Sequence, residues 1–323
     1  MKHFLLFLVL VLVGGNSAMA QLQPLFSQPS ESYMLLNPAY IPADNLIRDY
    51  AWFGGFTYRN QWIKMDGAPQ SALVRVNYVD TDDRYAPSNV SIGGYMLYDK
   101  IGDLETYAIS GKFAYNMDLT NNHYLSAGLA FSVNEMRLSN KILTNNNSNA
   151  NDPMIGAITT PNWGFDFSAG LFYHYVMSSN NRFFASASAI SIANLPLSSD
   201  NLLSAPVPWH IYGGIGVLFG DENAFEVSVS GRMTEAVLSS SIETFSMFSL
   251  RSRYQLEEKC WFGLSVSNNY TAEAEAGVFL YRSLSGQATD RDIRLSMSFM
   301  HPLSNLSYYF GNTFEFNLTF LMR

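Results

Sequence analysis

"TYAISGKFAYNMDL", Thr106 to Leu119, is the stretch whose reading decides the fold. Tyr107, Ile109, Gly111, Phe113, Tyr115, Met117 and Leu119 form one alternating series. Thr106, Ser110, Lys112, Asn116 and Asp118 fall in the other. A period of two places these series on opposite faces of an extended strand. Trp163 to Met177 repeats the pattern, with Trp163, Phe165, Phe167, Ala169, Leu171, Tyr173, Tyr175 and Met177 set against Asp166, Ser168 and His174. Near the C-terminus, Phe314, Phe316, Leu318 and Phe320 alternate with Thr313, Glu315, Asn317 and Thr319.

The same rhythm, less clean, runs through 50–63, 71–79, 90–99, 124–136, 182–192, 209–219, 224–237, 242–254, 260–268, 272–282 and 291–301. The chain therefore reads as all-β, with about 14 strands, the even number expected of an outer-membrane antiparallel barrel. A soluble sandwich or propeller is the competing reading, but it would have shorter strands and fewer outward aromatics. Composition favours the membrane. Charged residues are 14% and aromatics 15%, whereas a soluble domain carries about a quarter charged residues. Mean hydropathy is zero, as expected where apolar and polar residues alternate.

Residues 1–20 read as a cleaved secretory signal: Lys2, an apolar run from Phe4 to Val13, and Ala18-Met19-Ala20. The run is too short for a retained membrane helix, which needs about 20 residues. Export to the cell outer membrane follows. Residues 21–49 form an N-terminal segment, periplasmic or tucked into the lumen, and 50–323 the barrel. Within that segment Asn37-Pro38-Ala39-Tyr40 reads as a turn, because Pro38 biases Asn37 away from helix. The segment either plugs the lumen or docks a partner. The net charge of −8 argues against nucleic acid. The single Cys260 excludes an intramolecular disulfide and any cysteine metal cluster.

Turn residues punctuate the strands: Asp66-Gly67, Asn121-Asn122, Asn180-Asn181, Gly220 to Asn223 and Glu257-Glu258. Ser139 to Asn162 and Asn194 to Pro208 are the long connections. Parity directs Arg59, Arg75, Lys112, Asp166, Glu226, Arg232, Glu273, Glu275 and Arg294 inward, since charge facing lipid is costly. There they either pair with one another or line a substrate path. Glu273 and Glu275, two apart on one strand, bind a cation or pair with a basic side chain across the barrel.

No catalytic arrangement stands out. His123, His174, His210 and His301 lie in different strands, and no Gly-x-Ser-x-Gly elbow accompanies them. No metal-ligand spacing or phosphate loop occurs, so no cofactor is expected.

"LFSQPSESYMLLNPAYIPAD", Leu25 to Asp44, and Tyr58-Arg59-Asn60-Gln61-Trp62 followed by Asp66-Gly67-Ala68-Pro69 carry a resemblance. Together they resemble the opening of the PorP/SprF family of type IX secretion outer-membrane proteins of Bacteroidota. "HIYGGIGVLFG", "CWFGLSVSNN" and "TFEFNLTF" look like its later strands. The resemblance implies a non-enzymatic barrel that supports export or surface attachment of secreted proteins, including large adhesins of gliding machinery. Implied partners are the outer-membrane bilayer, a secreted substrate, and a periplasmic lipoprotein or peptidoglycan-associated component. The alternative is a transporter or porin for small solutes. On this reading Tyr58 and Trp62 face lipid, Arg59 and Gln61 face the lumen, and Lys64 to Pro69 form a hairpin with a tight turn at Gly67.

Overall fold

The computed structural model describes residues 26–41, 50–81, 87–120, 122–138, 162–178, 180–192, 195–196, 209–220, 223–238, 241–257, 259–281, 291–304 and 307–323. The expected signal at 1–20, the 139–161 connection and most of the 194–208 connection lie outside the described residues.

Fourteen long strands follow one another around a ring. They are β1 (Trp52–Asn60), β2 (Gln70–Thr81), β3 (Pro87–Ile101), β4 (Leu104–Thr120), β5 (His123–Leu138), β6 (Asn162–Ser178) and β7 (Asn181–Ile190), then β9 (His210–Phe219), β10 (Ala224–Leu238), β11 (Ser241–Leu256), β12 (Cys260–Ser267), β13 (Thr271–Phe279), β14 (Arg291–Pro302) and β15 (Thr313–Met322). A two-residue piece, β8 (Leu195–Pro196), adds to β6. Each long strand pairs antiparallel with its neighbours in sequence, and β1 pairs with β15 from Trp52↔Met322 to Asn60↔Phe314. The ladder thus closes and leaves no edge, the condition for β-structure in a bilayer.

Each strand expected from alternation has its counterpart, because the period sets which face meets lipid. Along β15 burial alternates residue by residue: Phe314, Phe316 and Phe320 are exposed, and Thr313, Glu315, Asn317 and Thr319 are buried. In β4, Ile109, Phe113 and Tyr115 point outward while Ser110, Lys112 and Asn116 point inward. Such an outer surface is stable only against hydrocarbon.

β1 begins and β15 ends at one end of the barrel. Connections there are mostly short, as at 121–122, 220–223 and 257–259. The opposite end carries the long ones, at 139–161 and 191–209. Outer-membrane barrels keep short turns in the periplasm and longer loops outside, so the start of β1 and the end of β15 mark the periplasmic end. At that end Tyr50, Phe53, Trp261, Phe279 and Leu321 point inward and pack together as an apolar floor.

Two helices depart from the all-β pattern among the described residues: α1, Pro29–Leu36, inside the lumen, and the single turn α2, Ser307–Phe310, ahead of β15. α1 matters for the interior. Its start is written in the sequence. The Gln28 carbonyl accepts from Glu31 N at 3.0 Å and Ser32 N at 3.3 Å. Pro29 takes the first helical position, where its missing N–H costs nothing. Its end is written too. Asn37 is extended (φ −158°, ψ 116°) ahead of Pro38. Ala39 N donates to Asn37 Oδ1 at 2.8 Å, closing an Asx turn.

The wall makes a direct prediction. Leu264, 66% exposed in the middle of β12, faces lipid. Leu264→Arg should destabilise the folded barrel by about 2–4 kcal/mol in bilayers, measured by reversible denaturant unfolding. Ser265→Arg, on the lumenal face, should cost clearly less.

Candidate functional site

The lumen is organised around α1 and the turn that follows it. Arg75 on β2, Gly55 on β1, Thr319 on β15 and Arg294 on β14 are successive register partners in one cross-strand row. Glu31 of α1 reaches this row. Its carboxylate pairs with Arg294 Nη2 at 2.5 Å and with Arg75 Nη2, and it accepts from Thr319 Oγ1 at 2.7 Å. Arg75 also donates to Thr57 Oγ1 at 2.8 Å and Thr319 Oγ1 at 2.7 Å. The Arg75 guanidinium lies across β1 because residue 55 has no side chain. A Cβ there would sit 2.7 Å from Nη2. All three charges are nearly or fully buried, so each depends on the others for solvation.

A second carboxylate holds the start of the segment. Glu315 Oε2 accepts from Ser27 N at 2.6 Å, and Oε1 accepts from Gln28 N at 3.2 Å. This is an acid on the free N–H groups of a helix start, where the dipole favours negative charge. Arg59 joins the cluster, donating to Ser27 Oγ at 2.6 Å and to Glu315 Oε2 at 3.4 Å. Ser296 Oγ donates to Gln28 Oε1 at 2.7 Å.

The segment's apolar side meets matching patches on the wall. Phe26 and Leu35 pack on Leu73, Leu97 and Ala108. Ala39 and Ile41 pack on Phe172 and Phe184, with Tyr40 against Phe172 at 4.9 Å between ring centroids. Asn37 Nδ2 donates to the carbonyls of Leu171 at 3.0 Å and Ala187 at 3.3 Å, and Ser188 Oγ donates to Leu36 O. The turn can approach this closely because Gly128 and Gly170 are cross-strand partners beneath it. A Cβ on Gly170 would lie 1.9 Å from Asn37 Oδ1, and one on Gly128 2.6 Å from Ala39 N. Asn37, Pro38, Ala39 and Tyr40 thus sit in a notch of the β5–β6 wall.

The inward charges do not form a single network. Arg251 Nη2 pairs with Glu275 at 2.6 Å, and Arg59 with Glu315. Arg75 and Arg294 turn to Glu31, a residue of the N-terminal segment that barrel parity could not supply. Asp166 accepts from Ser191 Oγ at 2.6 Å. The Lys112 ammonium stands 5.3 Å over the Tyr33 ring. Arg232 Nε donates to Thr234 Oγ1 at 2.9 Å. Glu226 accepts from Ser228 Oγ and Glu273 from Ser265 Oγ, each at 3.3 Å. Glu275 therefore has the arginine partner rather than a site shared with Glu273.

The stretch from Tyr58 to Pro69 behaves differently from its expected hairpin. Tyr58 faces lipid, Arg59 and Gln61 face the lumen, and Asn60 ends β1 opposite Gln70 and Phe314. Trp62 is a correction: it is not on the lipid face. The ladder stops at Asn60, so parity no longer directs residue 62. Trp62 takes a left-handed backbone (φ 56°) and stacks on Phe310 at 5.1 Å, lining the lumen. The connection is a brace rather than a tight hairpin. Ile63 N donates to Asn312 O at 3.1 Å and Lys64 N to Phe310 O at 3.2 Å. Gly67, at φ 73°, accepts from Gly102 N at 2.9 Å, and Pro69 O accepts from Gln61 N at 2.9 Å.

Beside the plug, toward the outer end, lies a cavity of about 1040 Å3. Tyr33 and Tyr40 of the N-terminal segment form one side of it and serines of β7, β10, β11 and β12 face it. The histidines do not gather. His123 meets the Tyr173 hydroxyl, His174 stacks on Tyr124, His210 meets Thr234 and His301 meets Asn312. Among the described residues, no group of three or more His, Cys, Asp or Glu is placed to hold a metal.

Sequence reasoning missed Glu31 and Gly55. The helix-start signal Gln28-Pro29-Ser30-Glu31 was present to find the first of them.

Removing the charge of Glu31 leaves two buried guanidinium groups without their acid, a loss of about 3–5 kcal/mol for such pairs. Glu31→Gln should release the N-terminal segment while the closed ladder persists. Proteinase K added from the periplasmic side should cut the variant near residue 31 and spare the wild type, with both retaining heat-modifiable gel migration. Gly170→Val should loosen the same segment by steric displacement of Asn37, without touching the ion pairs.

The barrel is similar to solved outer-membrane channels at low identity. Against the toluene transporter TodX of Pseudomonas putida it has 9% identity and a TM-score of 0.47, covering 94% of this chain and 98% of that one. Against the CymD monoaromatic hydrocarbon channel the values are 10%, 0.47, 96% and 95%. Against a FadL homologue of Pseudomonas aeruginosa they are 9%, 0.44, 88% and 92%. No match was found among curated protein sequences. The family model described as type IX secretion system membrane protein PorP/SprF matches residues 18–320, almost the whole chain, and the protein therefore belongs to that outer-membrane family.

Proposed function

We propose that this barrel is a non-enzymatic platform of the type IX secretion system that supports export or surface attachment of a secreted protein, such as a large adhesin. The observation that carries the reading is the occupied lumen. An N-terminal segment fixed by buried ion pairs at Glu31 and capped by Glu315 is built to stay, and a barrel filled in this way suits holding a partner better than passing solutes. Family membership supports a secretion role. Its periplasmic end, where β1 begins and β15 ends, is the side offered to a lipoprotein or peptidoglycan-associated component.

The porin reading draws on the cavity of about 1040 Å3. The plug and the apolar floor at Tyr50, Phe53, Trp261, Phe279 and Leu321 stand between that cavity and the periplasm.

Deletion of the gene, followed by proteomics of the cell surface, should remove at least one type IX substrate while the rest of the machinery persists. Unchanged export of every substrate would overturn the proposal. In planar bilayers the wild-type barrel should show no steady open conductance, and Glu31→Gln should open it.

A further inference from the structure

The cavity beside the plug forms a vestibule whose lining charges are already balanced. Arg59, Arg232, Arg251, Glu226 and Glu273 reach it. Arg59 pairs with Glu315 and Arg251 with Glu275. Arg251 also acts electrostatically on Glu226 and Glu273, and Arg253 lies directly across the ladder from Glu226. Arg232 stands 5.7 Å over the Tyr212 ring and donates to Thr234 Oγ1. The wall therefore needs no counter-charge from a ligand, and a charged ligand would give up hydration without an uncommitted partner.

What the wall presents instead is hydroxyl. Ser186 on β7, Gly214 on β9, Ser230 on β10, Ser249 on β11, Ser267 on β12 and Thr271 on β13 are successive register partners in one cross-strand row. All six line the cavity. Directly opposed residues of antiparallel strands share a face, so an inward serine at one level of each strand aligns with the next. Five strand-to-strand steps of about 4.8 Å carry the row along roughly 24 Å of wall. Ser230 is exposed, Ser186, Ser249 and Ser267 are half-buried, and Ser230 Oγ lies 2.8 Å from Ser249 Oγ.

The facing side is aromatic. Tyr33 and Tyr40 of the plug line it, and the lip carries Tyr270 and Trp62, the latter stacked on Phe310. Trp62 and Tyr270 both hold left-handed backbone, at φ 56° and 58°, which bulky residues adopt only where surrounding contacts impose it. Hydroxyls on one side and rings on the other, around about 1040 Å3 with no charge to satisfy, complement a chain of sugars. A pyranose carries hydroxyls around its rim, each donor and acceptor like serine, and a face of C–H bonds that packs on an aromatic ring. A bare ion uses neither side. A polypeptide brings apolar side chains for which the hydroxyl row has no pocket.

We propose that this vestibule holds a segment of neutral saccharide chain presented from the cell surface. The sugar hydroxyls bond to the row from Ser186 to Thr271, and the C–H faces of the rings lie against Trp62 and Tyr270. The plug and the apolar floor bar onward passage, so the chain is held and not transported. The inference stands apart from the secretion reading, because a surface polysaccharide and a glycan on a secreted protein present the same chemistry.

The test is calorimetry on the full-length protein in lipid nanodiscs, free of sugar-headed detergent. The probes are maltoheptaose, mannohexaose and xylohexaose, with two fractions from cells that make the protein. One fraction is polysaccharide released from the outer membrane by mild acid, and the other is glycopeptide released from surface proteins by protease. At least one probe should bind with a Kd below about 1 mM, and a fraction that binds names the source. Ser230→Ala/Ser249→Ala should weaken that binding about tenfold, the scale of two lost hydrogen bonds. Ser230→Trp, which fills the cavity without changing charge, should abolish it, with both variants keeping heat-modifiable gel migration. Binding by none of these probes overturns the proposal, as does binding that Ser230→Trp leaves unchanged. The capped peptide Ser-Gly-Tyr-Ser-Gly-Tyr binding as tightly as the best saccharide overturns it in favour of a polypeptide. Spermidine or trigalacturonate binding that tightly overturns the neutral chemistry. Swelling of barrel-bearing liposomes in the saccharide that binds overturns holding in favour of passage.

Discussion

The contact between Glu31 and the two arginines Arg75 and Arg294 is the constraint on which the interior depends. A barrel of this size must fill or hydrate its lumen. Here the wall contributes two guanidinium groups at one level, Arg75 on β2 and Arg294 on β14, separated by the Gly55 and Thr319 positions. Two buried cations so close are unfavourable until an anion lies between them. The chain supplies that anion from outside the barrel sequence. Wall and plug therefore specify one another: the arginines need the helix, and the helix, eight residues long and unstable alone, needs the arginines.

The remaining contacts of the segment follow from that anchor. With Glu31 fixed, Leu35 and Phe26 fall on the apolar patch of β2 to β4, and Asn37 falls over the Gly128–Gly170 notch. The lumen is thereby split. One part is filled by the segment. The other remains as the vestibule, aromatic on the plug side and hydroxyl-rich on the wall. This asymmetry is a consequence of charge placement: Arg59, Arg75 and Arg294 reach the plug or the residues that hold it, while Arg251 pairs with Glu275 at its margin.

The barrel was legible in the sequence because lipid and lumen impose a period of two on every strand, and stretches such as Thr106–Leu119 display it without ambiguity. The site was legible only in part. Parity brought Arg59, Arg75, Glu275 and Arg294 to the lumen, but it says nothing of distance around the ring, so it could not name their partners. Glu31 escaped because residues before the first strand have no face to be assigned. Trp62 was misplaced for the complementary reason. It follows the last ladder pair of β1, and a residue at φ 56° no longer obeys alternation. Gly55, Gly128 and Gly170 are silent in a hydropathy pattern, because their role is the side chain they lack.

The two N-terminal motifs, 32 residues apart in the chain by their Ser27 and Arg59 positions, turn out to be one mechanical unit: Arg59 Nη1 donates to Ser27 Oγ at 2.6 Å. Through Arg59 and Glu315 the start of the plug is tied to the last turnless stretch of β1. Beyond it, Gln61 is held by Pro69, Trp62 rests on Phe310, and Ile63 is held by Asn312. The brace thus joins the plug's entry to the lip of the vestibule through successive residues of one strand end. A force applied to Trp62 from the outer surface has a short, hydrogen-bonded route to the helix start, and a shift of the helix start has the same route outward. This coupling is one of physical contiguity. It explains why a strained tryptophan is tolerated at that point: its conformation, costing on the order of 1–3 kcal/mol, is held by contacts on both sides, with the indole over the cavity and the backbone in the brace.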